Sequence, residues 1–155
     1  MLNCRRCRKC VYISMITSLV GSASVLSMMR VSGIASEKKN YIPMYIVGAI
    51  FWLGIILTYV LTGVASYNRK KAIELGYGED FVHKIGIISF FENREAKVAD
   101  LVMAGSILFV IYEILSGFDQ DIVILISIFL TIYSVHMHCI LNGKNYYFSK
   151  VNSDI

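Results

Sequence analysis

From Cys10 to Met29 the chain carries no charged residue. At about 1.5 Å per residue, such a stretch is long enough to cross the roughly 30 Å hydrocarbon core of a bilayer as a helix. A second uncharged run extends from Asn40 to Asn68, with Pro43 near its start, where proline fits a first helical turn. A third runs from Leu101 to Phe118, broken once by Glu113, and a fourth from Ile122 to Gly143, holding His136 and His138. None of them alternates polar and apolar residues as a membrane β-strand does. Every backbone N–H and C=O in lipid needs an internal partner, so these runs are expected to be helices. The pattern predicts an all-α, integral membrane four-helix bundle. Its transmembrane helices are expected at about 10–30, 42–67, 97–117 and 121–141, in a single membrane domain spanning 1–155.

The first run starts like a signal peptide, with basic residues before an apolar body. It outlasts the usual apolar region of a signal, and three more spans follow, so it is expected to be retained. The central segment, about 68–96, is expected to be a structured loop. The second helix continues through Arg69, Lys70 and Lys71 to Leu75, with Gly76 as its C-terminal cap. Phe81, Val82, Ile85 and Ile88 recur at helical spacing, which predicts a short interfacial helix. Asn93 is the expected N-cap of the third transmembrane helix, with Glu95 in its first turn and Gly117 closing it.

Composition supports the membrane reading. Apolar residues make up 56% of the chain and charged residues 17%, with mean hydropathy +0.61. Soluble domains carry about 25% charged residues, and a small one has too little interior to hide such an apolar surplus. The surplus must face another apolar phase.

Charge then sets the expected orientation. Arg5, Arg6, Arg8 and Lys9 precede the first helix; Arg69, Lys70, Lys71, Lys84, Arg94 and Lys97 occupy the central loop; Lys144 and Lys150 follow the fourth helix. Only Arg30, Lys38 and Lys39 lie on the other side. Lysine and arginine favour the cytoplasmic face, so both termini and the loop are expected inside, N-in and C-in.

Candidate chemistry is sparse. Ser14, Thr17, Ser18, Gly21 and Ser22 form a stripe of small residues on the first helix, with Gly48 and Gly54 on the second. Small residues let helices approach closely, so the stripe reads as packing rather than a solute path. Cys4, Cys7 and Cys10 form two overlapping C-x-x-C spacings in what reads as a loose basic tail. His136, His138 and Cys139 are expected on the same membrane side, so a shared metal site has the right ligand types. However, positions 136 and 138 point to different helix faces, and no further C-x-x-C is present. No metal and no cofactor are therefore expected. A thiol oxidoreductase serving secreted proteins needs outer-side cysteines, and the predicted outer loops have none.

Glu113 is the acid placed within a span, about one turn from its outer end. An intramembrane acid is costly and takes a partner by default; Arg30, at the end of the first run, is the expected one. The tail Tyr146-Tyr147-Phe148 reads as an interfacial aromatic belt.

There is no H-E-x-x-H, Gly-rich phosphate loop or G-x-S-x-G motif, and no enzymatic activity is expected. The segments Phe90–Glu95 and Leu141–Tyr146 resemble pieces of uncharacterised bacterial membrane proteins, and that resemblance carries no activity across. The expected function is that of a non-enzymatic accessory, assembly or protective factor in a bacterial cell membrane. Its expected partners are the lipid bilayer and another membrane protein or itself, not nucleic acid. A small oligomeric transporter or channel is the alternative, and a membrane thiol or metal redox protein the third reading.

Overall fold

The apolar runs fold as helices in a computed structural model, which describes residues 2–77, 86–117 and 121–152. Among the described residues six α-helices follow in order: α1 (Leu2–Ala23), α2 (Met28–Lys38), α3 (Ile42–Glu74), α4 (Lys97–Ser116), α5 (Asp121–Leu141) and α6 (Lys144–Val151). A 3-10 turn, Ser24–Ser27, joins α1 to α2. Four helical stretches among these residues are long and apolar enough to cross a membrane: Cys4–Lys38, Ile42–Glu74, Lys97–Ser116 and Ile122–Leu141. The expected interfacial helix falls mainly on Phe81, Val82 and Ile85, which lie outside the described residues.

The helix ends follow local chemistry. Pro43 sits in the first turn of α3. At its other end Gly76 takes a left-handed φ of 76°. There the Gly76 N–H donates to the Ile73 carbonyl and the Tyr77 N–H to the Ala72 carbonyl. These are the paired bonds that satisfy the last carbonyls of a glycine-terminated helix. Gly117 closes α4 in the same conformational region, with φ of 94°. Asn93 does not sit directly before α4. Its side chain accepts from the Glu95 N–H and starts a turn at 94–96 that leads into the helix.

α1 packs along α3 and also against α5, while α4 packs chiefly against α5. The small-residue stripe makes the α1–α3 crossing. A Cβ built at Gly54 would lie 2.5 Å from the Cα of Gly21, so the two backbones touch there. The Thr17 and Thr58 hydroxyls bond across the interface at 2.9 Å. Gly48, by contrast, faces open space.

Two expectations about the chain ends are corrected. The basic N-terminal segment is not a loose tail, because α1 begins at Leu2. Cys4, Cys7 and Val11 recur every three to four residues on one face, and that face buries against Ala65 and Ala72 of α3 and Phe148 of α6. Nor is the aromatic tail a free belt. Gly143, with extended backbone, interrupts the helix and turns the chain. α6 then folds back on α1, α3 and α5, leaving Phe148 only 2% exposed.

Candidate functional site

A set of buried polar side chains lies at the end of the molecule that holds the start of α1, the end of α3, the start of α4, the end of α5 and α6. Exposed cations surround this end: Arg5, Arg6, Lys9, Lys70, Lys71, Arg94, Lys97, Lys144 and Lys150. Inside them lie two hydrogen-bonded clusters.

The first cluster joins α4 to α5. Asp100, 1% exposed, stands in the first turn of α4. One carboxylate oxygen accepts from the Phe91 N–H at 2.8 Å, and the other meets Nδ1 of His138. The opposite ring nitrogen, Nε2, faces the Ile87 carbonyl. Phe90 stacks on the imidazole with ring centroids 4.8 Å apart. Asn93 completes the cluster by donating its side-chain amide to the Leu141 carbonyl at 3.0 Å and to Oδ1 of Asn142 at 3.2 Å. The segment 86–93 is thereby fastened over the ends of α4 and α5. A general base needs a ring nitrogen free to take a proton from a bound substrate. Here protein oxygens occupy both.

The second cluster joins α3 to α6 and α1. Buried Arg69 donates through Nε to Oδ1 of Asn145 at 3.2 Å. The Asn145 amide donates to the Thr62 carbonyl and to the Ser66 hydroxyl, at 3.2 and 2.9 Å. The Cys7 thiol points at the Asn145 carbonyl, 3.9 Å away. At the rim, Lys150 pairs with Glu95, and that hydrogen bond holds the Glu95 carboxyl below the usual carboxylate range.

The residues singled out by sequence are dispersed. Cys4 and Cys7 are buried, Cys10 partly so, and Cys139 is exposed, all as free thiols. Buried thiols away from a metal or base are generally inert. Among the described residues no three His, Cys, Asp or Glu side chains gather in metal-binding geometry. His136 and His138 diverge as their spacing implies. His136 bonds the Ile132 carbonyl through Nδ1 at 2.7 Å and meets Tyr59 edge-on.

Glu113 and Arg30 are not brought together. Glu113 is buried in α4, which packs chiefly on α5. Arg30 is exposed on α2, which packs on α3.

Asp100, Asn142 and Asn145 belong to no motif in the sequence. An acid in a helix's first turn looks ordinary there, since it suits the helix dipole. The signal was the spacing of His138, Asn142 and Asn145, which places polar groups repeatedly at one helix end. Comparisons with known protein families, curated proteins and solved structures find no match to this chain.

Proposed function

We propose that this chain is a multi-pass protein of a bacterial cell membrane, with both termini and the 68–96 loop in the cytoplasm. It works without catalysis, as an accessory, assembly or protective factor for another membrane protein. One observation carries the reading: both buried clusters at the basic end are consumed in holding the protein's own elements together. Neither ring nitrogen of His138 is left to a substrate, and Arg69 and Asn145 spend their groups on α3–α6 contacts. Such an end is a rigid platform, and its outer surface is basic and available to a partner.

The test is affinity purification of the tagged chain from native membranes in mild detergent, followed by mass spectrometry. A different membrane protein recovered in a fixed ratio is the expected result. A homo-oligomer alone, moving ions in liposomes, would overturn it in favour of a small transporter. That second reading has its own support, because the Ser18 and Ser22 hydroxyls and Nε2 of His136 are buried without a hydrogen-bond partner.

A further inference from the structure

Between α4 and α5 runs an apolar groove of about 190 Å³, lined by Ile107, Val110, Ile111, Ile128, Thr131 and Ile132. Its single hydroxyl is already engaged, because Thr131 donates to the Ser106 hydroxyl at 2.9 Å and lies 2.8 Å from the Ser127 carbonyl. The occupant must therefore be apolar along its whole length. A transmembrane helix is about 10–12 Å across with its side chains, too wide to sink into such a cavity. A single hydrocarbon chain is slender enough.

The same helix supplies a charged rim. Arg94 and Lys97 are exposed at and just before the start of α4. Of the neighbouring acids, Glu95 pairs with Lys150 and Asp100 with His138, while Glu92 is exposed beside Arg94. No ion pair among the described residues engages Arg94 or Lys97. From Lys97 the groove lies ten to fourteen residues along α4, or about 15–21 Å at the helical rise. Half of a bilayer of about 40–45 Å, headgroups included, is about 20–22 Å. A headgroup at Lys97 thus places the far part of its own acyl chain in the groove. Cations at the membrane surface attract anionic headgroups.

We infer that the α4–α5 groove and the Arg94–Lys97 rim together form a binding site for one anionic phospholipid, with its phosphate at the rim and an acyl chain between Ile111 and Ile132. This site rests on the membrane reading above but not on the protein partner proposed there.

The test titrates delipidated full-length protein in detergent with phosphatidylglycerol or phosphatidylcholine of matched chains, and counts bound lipid by native mass spectrometry. The wild type is expected to prefer phosphatidylglycerol by about thirtyfold, as two surface cations imply. The double change Arg94→Gln with Lys97→Gln should cut that preference to about twofold or less. Ile111→Trp should weaken both lipids, with helicity by circular dichroism confirming the fold; if that variant unfolds, Ile107→Phe replaces it. Arg30→Gln with Lys38→Gln, at the other end of the bundle, should leave the preference unchanged.

Equal binding of the two lipids overturns the proposal, as does a preference that survives loss of both rim cations. Glycerol phosphate competing as well as the whole lipid would remove the acyl chain from the site. A dimer that forms on delipidation and is lost in Ile111→Trp would give the groove to a second copy of the chain instead.

Discussion

At Gly54 a methyl group has nowhere to go. Its Cβ would stand 2.5 Å from the Cα and 2.8 Å from the N of Gly21, backbone atoms that move only if the whole helix moves. Overpacking of this kind costs about 1–3 kcal/mol. Gly54→Ala is therefore expected to lower the detergent melting temperature clearly. Gly48→Ala, where nothing lies within 4 Å, should be neutral or stabilising by up to about 1 kcal/mol through helix propensity. Equal melting of the two variants would show that α1 and α3 do not cross at Gly21–Gly54. The small-residue stripe was legible in the sequence because Ser14, Thr17, Ser18 and Gly21 share one face. Which glycine of α3 meets it was not, since both positions carry the same residue and only the crossing point distinguishes them. The cysteines show the same limit. Their C-x-x-C spacing looks like metal chemistry, yet spacings of three and four are also what a packed helix face requires.

At the scale of elements, the segment 86–93 is held by side chains from two helices rather than by its own regular structure. Phe91 donates its N–H to Asp100, and Ile87 and Phe90 meet His138. If these contacts act as one unit, Asp100→Ala and His138→Ala should each destabilise the protein. The double variant should then lose less than the sum, with a coupling energy of about 0.5–3 kcal/mol in a double-mutant cycle. Purely additive losses in detergent unfolding would mean that the pair does not couple α4 to α5. The apolar runs of these helices and the glycine that closes α4 were legible, each a local property, whereas the start of α4 was placed too early at Asn93. The clasp was not, because Asp100 and His138 are 38 residues apart and come together only when α4 lies against α5.

For the whole molecule, basic residues counted along the chain turn out to be gathered in space. The start of α1, the end of α3, the start of α4 and α6 bring nine exposed cations to one end, and Arg30, Lys38 and Lys39 remain for the other. A basic excess of this kind is the ground for the cytoplasmic orientation proposed above. With the native cysteines replaced, a single cysteine at the exposed position Glu37 should react with an impermeant maleimide in intact cells. One at exposed Glu74 should react only after the membrane is opened. The reverse pattern would invert the orientation and return the cysteines of α1 to the oxidising side.

The sequence by itself determined that the chain is helical, that four stretches are long and apolar enough to cross a membrane, and where along the chain the basic residues concentrate. Hydropathy and charge are sums over consecutive residues, and lipid leaves an apolar run no alternative to a helix. Tertiary structure alone decided that the basic N-terminal segment is helical and buried on one face, and that Phe148 belongs to a core rather than an interface. It also decided that Asp100, His138, Arg69 and Asn145 are interior polar groups. Cys7 and Asn145, 138 residues apart, illustrate the reason. Whether a polar or aromatic side chain faces lipid, water or another helix depends on which neighbour covers it, and that neighbour comes from a distant part of the chain.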